Sequence, residues 1–281
     1  MKQSTLRARE FEFDHQDFLA LRTLIKKMTG ITLADSKEEL VYGRVSRRLR
    51  SLGLSSFSEY RQRLEFGDQA ELVEFCNAMT TNLTAFFRES HHFDYLRDHL
   101  LLPRRSDRDG SRRIRIWSAA CSTGEEAYSI AMTVCENIPD WRRWDIKILA
   151  TDLDSKVLAR AQHGVYAQDR VKGLHAQRLT QFFAARREGG NEVYEVAPDL
   201  KQLITFKQLN LMHDLPMSGP FDAIVCRNVI IYFDKDTQRE LFERIARLQR
   251  RDDLLFLGHS ESLFRVTNAY ALIGKTIYRR A

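Results

Sequence analysis

From Arg113 to the end of the chain, short apolar segments alternate with segments of helical period, and this alternation constrains the fold more than any other feature. IRIWS precedes a helical pattern over 124–136, IKILATD one over 155–162, and FDAIVCRN one over 234–248, after which LLFLGHS follows. Parallel strands need a crossover connection, most often a helix, and such crossovers pack on the faces of the sheet. The order therefore predicts an α/β fold with a doubly wound, mainly parallel sheet. YALIG and KTIYRR stand too close together for a crossover and predict an antiparallel hairpin at one edge. NEVYEV and LITFK, after the Gly189-Gly190 turn, predict a small antiparallel β insertion over about 165–207.

Before Arg113 the pattern is helical only. Residues 14–29 place Phe18, Leu21, Leu24, Ile25 and Met28 at helical spacing and stop at Gly30. Similar helices are expected over 36–51, 56–65 and 68–79. The helix over 36–51 carries an apolar stripe of Val41, Val45, Leu49 and Leu52 and, on another side, Lys37, Arg44, Arg47 and Arg48. The expected organisation is a helical N-terminal domain over 1–88, a linker helix and loop over 89–112 that includes RRSDRDGSRR, and an α/β domain over 113–281.

Residues 1–12 read as a frayed basic start without the apolar core of a secretory leader. No apolar run approaches the ~20 residues that span a bilayer. Four cysteines without a C-x-x-C pair fit free thiols in a reducing compartment, so a cytoplasmic protein is expected. The net charge of +6 admits nucleic acid, an anionic lipid surface or an acidic protein as partner.

Four segments carry chemistry. IWSAACSTGEEAYSIA is a strand, a run of small residues from Ser118 to Gly124, and a helix with two acids in its first turn. A dinucleotide pyrophosphate asks for G-x-G-x-x-G, and this loop has one glycine. Ser122-Thr123-Gly124-Glu125 also fits an S-x-x-E capping box, so Glu125 and Glu126 can serve the helix alone. Asp152 ends the next strand, where an acid accepts ribose hydroxyls in doubly wound sheets; a turn or helix cap is the competing role, with Asp154 a rival for it. A nucleoside cofactor without phosphates, S-adenosylmethionine, suits both the single glycine and the acids. CRNVIIYFDKD follows the strand FDAIVC and offers Arg227, Asn228 and Tyr232. TTNLTAFFRE closes the helical part, where Asn82 or Thr84 can also act as caps.

Together, TTNLTAFFRE, WSAACSTGEEAYSIA, ATDLD, FDAIVCRNVIIYFDKDTQ and LFLGHSES resemble the CheR-type chemotaxis receptor methyltransferases over roughly residues 14–279. Cys121 departs from the small Ala or Gly expected at its position. The resemblance implies a Rossmann-like methyltransferase sheet and an S-adenosylmethionine-dependent protein-glutamate O-methyltransferase. It assigns cofactor contacts to Asn82, Thr84, Arg88, Glu125, Asp152, Asn210, Leu211, Arg227 and Asn228, and places Arg88 and Tyr232 at the reacting centre. Its substrate is the cytoplasmic helical bundle of a chemoreceptor, which gives Arg44, Arg47 and Arg48 a docking role, and in some members the β insertion binds a peptide at the receptor's C-terminus. A monomer is expected. His91, His92 and His99 show no metal-ligand spacing, and no metal is expected. A non-catalytic sensor of S-adenosylmethionine is disfavoured by the intact set Arg88, Asp152, Asn228 and Tyr232. A nucleic-acid methyltransferase is disfavoured by Asn228-Val229-Ile230, where such enzymes often carry Asn/Asp-Pro-Pro-Tyr. For a small-molecule methyltransferase the helical N-terminal domain is surplus.

Overall fold

The computed structural model describes residues 9–106 and 112–281; the basic start over 1–8 and the centre of the RRSDRDGSRR loop, 107–111, lie outside the described residues. Of the described residues, those up to Thr81 form one compact unit and those from Asn82 onward form a second.

The first unit consists of helices His15–Thr29, Glu38–Leu52, Phe57–Glu65 and Gln69–Met79. Asp14 and Asp17 close a reciprocal capping box on the first, and Gly30 ends it in the left-handed conformation (φ 75°). Ser56 and Asp68 cap the third and fourth helices through their side-chain oxygens. The apolar stripes meet in a core that contains Phe18, Leu21, Val41, Val45, Phe57, Tyr60 and Phe75. Glu71 is buried within it, and Arg48 supplies its counter-charge through two hydrogen bonds of 3.0 and 2.7 Å, while the Tyr60 hydroxyl donates to it at 2.7 Å.

Among the described residues the second unit holds ten strands: β1 (Arg113–Ser118), β2 (Asp145–Asp152), β3 (Val165–Ala167), β4 (Phe183–Glu188), β5 (Asn191–Val196), β6 (Ile204–Gln208), β7 (Ala223–Cys226), β8 (Leu254–Leu257), β9 (Tyr270–Gly274) and β10 (Ile277–Arg280). Seven make a sheet in the order β6-β2-β1-β7-β8-β10-β9. Pairing is parallel from β6 to β8, and β10 is antiparallel to both β8 and β9, so the hairpin lies at the edge as the sequence predicts. Helices Glu125–Asn137, Ser155–His163 and Lys235–Ala246 supply crossovers. Strand order reverses at β1, so the crevice between the carboxyl ends of β1 and its neighbours is the expected ligand site.

Three expectations need correction. LITFK does not belong to the insertion: β6 pairs parallel with β2, from Ile148↔Ile204 to Asp152↔Gln208, and extends the main sheet. The small antiparallel sheet is β3-β5-β4, with β4, a strand not read from the sequence, at its edge. The described part of the expected linker helix and loop, 89–106, packs into the second unit. Phe93, Leu96, Leu100 and Leu101 belong to the core of the second unit, and residues 82–88, grouped with the helical domain from the sequence, also fall in this unit.

Candidate active site

The loop after β1 is small because it turns sharply against its neighbours. Ser122 lies at φ 49° and Gly124 at φ 96°. A Cβ on Gly124 would stand 2.9 Å from both the Ala161 Cβ and the Tyr166 hydroxyl, so only glycine fits. The anticipated capping box does not form: Gly124 is the N-cap and no side chain caps the helix. Ser122 instead turns its N–H to Asp152 Oδ2 at 2.8 Å, while Asp152 Oδ1 accepts from Asp154 N at 3.0 Å. Asp152 thus ties the ends of β1 and β2 together, and burial pushes its carboxyl up to about 6. Asp154 takes the cap role, accepting from Lys156 N at 2.9 Å and Val157 N at 3.3 Å, and its other oxygen accepts from Asn82 Nδ2 at 2.8 Å.

The two acids after the loop have separate partners. Glu125, wholly buried, accepts from Thr123 Oγ1 at 2.7 Å and forms an ion pair with Arg170. Glu126 accepts from Ser118 Oγ at 2.6 Å and faces Arg227 Nη1 at 3.2 Å; burial raises its pKa.

Segment 82–88 runs over this edge. Thr84 gives its carbonyl to Arg170 Nη2 at 3.2 Å, and Phe87, at φ 52°, donates its N–H to Ser129 Oγ at 2.9 Å. Phe86 meets Tyr166 edge-on at 4.9 Å. Arg88 donates from Nη1 to the Leu83 carbonyl at 2.8 Å, and its own carbonyl accepts from Arg227. Arg227 is a buried hub: beyond Glu126 and the Arg88 carbonyl it stands 3.4 Å from Glu89 Oε2.

At the end of β6, Leu209 donates its N–H to the Asp152 carbonyl at 2.9 Å, which brings Asn210 and Leu211 to the same edge. Asn210 Oδ1 accepts from Met212 N at 3.0 Å, and the Leu211 carbonyl accepts from Arg244 at 2.7 Å. After β7, Asn228 adopts φ 58° with its side chain against Gly258, where a Cβ would approach Asn228 Nδ2 to 2.3 Å.

Tyr232 ends the 3-10 turn Ile230–Tyr232, half-buried, and its hydroxyl has no hydrogen-bond partner among the described residues. Sequence reasoning missed the group beneath this turn. Glu261 accepts backbone N–H from Gly258, Asn228, Ile230 and Ile231 and fixes the loops after β7 and β8 to each other.

Glu89, His91 and His92 bring one donor atom each to within 4.8 Å of one another. Burial opposes ionisation of Glu89, but Arg227 and the His259 hydrogen bond hold its pKa below the usual range. Burial, with Arg227, pushes His92 down to about 4. The carboxylate already has a guanidinium as its cation, so the group reads as an ion-pair network around Arg227.

Of the three arginines expected to dock the receptor, Arg48 is committed to Glu71 inside the first unit. Arg44 donates to the Met79 carbonyl at 2.6 Å and to Thr81 Oγ1 at 2.9 Å. Arg47 is exposed and donates to the Gly43 carbonyl of its own helix at 3.1 Å.

An acid at the end of β2, two acids in the first turn of the helix after β1, and a loop without the glycines of a phosphate cradle define an α/β protein whose topological switch point suits a nucleoside cofactor. Residues 16–80 match the family model "CheR methyltransferase, all-alpha domain", and residues 82–279 match "CheR methyltransferase, SAM binding domain". The chain belongs to the CheR methyltransferase family and is an S-adenosylmethionine-dependent methyltransferase. Similar proteins include chemotaxis protein methyltransferase 2 of Pseudomonas aeruginosa, 45% identical over 273 residues, with 97% of this chain and 95% of that one covered. The chemotaxis protein methyltransferase of Escherichia coli K12 is 44% identical over 265 residues, with 93% and 89% covered. No helix among the described residues is long and apolar enough to cross a membrane.

The donor set fits the cofactor. Carboxylates at Asp152 and Glu125 would accept from ribose hydroxyls and from an ammonium, and the cofactor, when bound, would supply an electrophilic methyl group on a sulfonium.

Proposed function

We propose that the chain methylates glutamate side chains on the cytoplasmic helices of chemoreceptors, giving glutamate methyl esters. The relatives named above as chemotaxis protein methyltransferases support this reading. The observation that carries it is Tyr232, whose unpartnered hydroxyl stands on a turn pinned beside Asn228. A glutamate acceptor, with an ordinary pKa of about 4.3, is ionised at neutral pH and needs no general base. The protein's task is to align the carboxylate with the methyl group and exclude water. Tyr232 donates a hydrogen bond to the acceptor carboxylate, and Arg88 offers it a guanidinium; neither moves a proton. Asn82, Thr84, Glu125, Asp152, Asn210 and Leu211 surround the cofactor, with Asn228 at the junction with the acceptor. Arg227 acts differently from the other assigned residues: its guanidinium is enclosed by Glu126, Glu89 and the Arg88 carbonyl, so it fixes the strap over 82–88.

A macromolecular acceptor is favoured by exposed apolar side chains next to site residues: Leu83 beside Asn82 and Thr84, Ile231 beside Tyr232, and Phe264 three residues after Glu261 are 76, 51 and 72% exposed. Among Arg44, Arg47 and Arg48 of the first unit, Arg47 is the exposed one, and it is the docking residue we retain for an acidic receptor helix. The edge of β4, with exposed Ala185, Arg186 and Arg187, offers strand addition to an extended peptide, and a receptor C-terminus held there would raise the local enzyme concentration. The enzyme acts as a monomer in the cytoplasm on this reading.

Transfer of labelled methyl groups to receptor fragments tests the proposal. Tyr232→Phe should bind S-adenosylhomocysteine within about twofold of wild type yet transfer methyl about 10- to 100-fold more slowly, the value of a hydrogen bond to a charged group. Wild-type protein that binds S-adenosylhomocysteine but labels no receptor fragment would refute the receptor reading.

A further inference from the structure

Arg170 belongs to the helix Gln168–Val171 just after β3, on the insertion. Its Nε–H donates to Glu125 Oε1 at 3.1 Å, one Nη2–H goes to the same oxygen, and the other goes to the Thr84 carbonyl at 3.2 Å. Nearby, the Tyr166 hydroxyl of β3 donates to the Thr123 carbonyl at 2.7 Å. The insertion is thus fastened to the cofactor loop at two points.

Counting donors and acceptors shows what this ion pair can still bind. A carboxylate offers about four acceptor positions and a guanidinium five N–H donors. Glu125 receives two bonds from Arg170 and one from Thr123, which leaves about one acceptor position. The Arg170 Nη1 group meets no partner among the described residues, and the side chain is 37% exposed although Glu125 is wholly buried. The pair therefore retains an acceptor on its anionic side and donors on its cationic side. The amino-acid end of the cofactor is a zwitterion and needs both. Beside Glu125 alone, its ammonium would be attracted and its carboxylate repelled as a like charge.

We propose that Arg170 binds the α-carboxylate of S-adenosylmethionine, while Glu125 accepts from the α-ammonium. The inference rests on Glu125 lining the cofactor pocket. Arg170 suits the task because a guanidinium binds carboxylates through paired, charge-assisted bonds. It also makes the insertion a structural part of the cofactor site.

The test is titration calorimetry with S-adenosylhomocysteine and its analogue lacking the α-carboxyl group, on wild type, Arg170→Ala, Arg170→Lys and Asp152→Ala. Wild type should prefer the carboxylate-bearing ligand by about 10- to 100-fold, as bonds to a charged group allow. Arg170→Ala should lose that preference by weakening S-adenosylhomocysteine alone, and Arg170→Lys should restore part of it. Thermal unfolding without ligand reports the separate cost of breaking the Glu125 pair. An Arg170→Ala protein that keeps the wild-type preference, or that binds S-adenosylhomocysteine more tightly, overturns the assignment. If Asp152→Ala loses affinity while the Arg170 variants keep the wild-type preference, the pocket is correctly placed and only the Arg170 assignment fails. If Asp152→Ala binds both ligands as wild type does, the pocket is misplaced and the proposal falls with it.

Discussion

Replacing Glu261 by glutamine tests whether one buried carboxylate holds the loops that carry Asn228 and Tyr232. Glu261 is 4% exposed. Its Oε2 accepts from Gly258 N at 2.6 Å and Asn228 N at 2.8 Å, and its Oε1 from Ile230 N at 2.9 Å and Ile231 N at 3.4 Å. Glutamine keeps one acceptor oxygen and presents an amide NH2 to the other two backbone N–H groups. Each bond to a charged acceptor contributes roughly 1.5–3 kcal/mol, and the one at 3.4 Å much less. Burial raises the pKa of Glu261, so the wild type carries a desolvation cost that glutamine avoids. The net loss expected in urea unfolding is about 2–4 kcal/mol. Because Asn228 is held at φ 58° with its N–H bonded to Glu261, S-adenosylhomocysteine affinity should fall as well. A Glu261→Gln protein within about 0.5 kcal/mol of wild type, the range of ordinary surface substitutions, and with unchanged affinity would refute the reasoning.

Arg48→Ala removes the counter-charge of buried Glu71 and should cost roughly 3–5 kcal/mol of stability in denaturant titration, whereas Arg47→Glu should stay within about 0.5 kcal/mol. Arg47→Glu should nevertheless slow receptor methylation at low salt, and an unchanged rate there would remove Arg47 from the docking surface. Burial raises the Asp152 carboxyl from 3.8 to about 6, so the group favours the folded state most below pH ~4 and loses that contribution as pH rises through 6. The stability of wild type relative to Asp152→Ala should therefore decline between pH 4 and 7 by up to roughly 3 kcal/mol, and parallel pH profiles would place this carboxyl in the ordinary range.

What the sequence disclosed, and what it withheld, follows from where each residue finds its partners. The α/β alternation and the edge hairpin were legible because a strand's apolar run and a helix's period are local. That Asp152 ends a strand was legible because the apolar run before it stops there. LITFK was assigned to the wrong sheet because a strand's sequence does not say which neighbour it pairs with, and the four-residue helix Pro198–Lys201 before it is too short to show a period. β4 was missed because five of its six residues are exposed, which leaves no alternation to read. The capping box failed for a related reason. Ser122 is drawn into φ 49° by the bond from its N–H to Asp152, thirty residues away, and a local motif carries no record of that competitor. Glu261 and Arg170 were invisible for the same cause, since their partners arrive from other loops. The basic face of Glu38–Leu52 shows the limit in the opposite direction. Arg47 and Arg48 are adjacent and look alike on a helix, but the fourth helix brings Glu71 to Arg48 and leaves Arg47 in solvent. A run of charge on one helix therefore defines a docking surface only after the neighbouring helices have taken the charges they need.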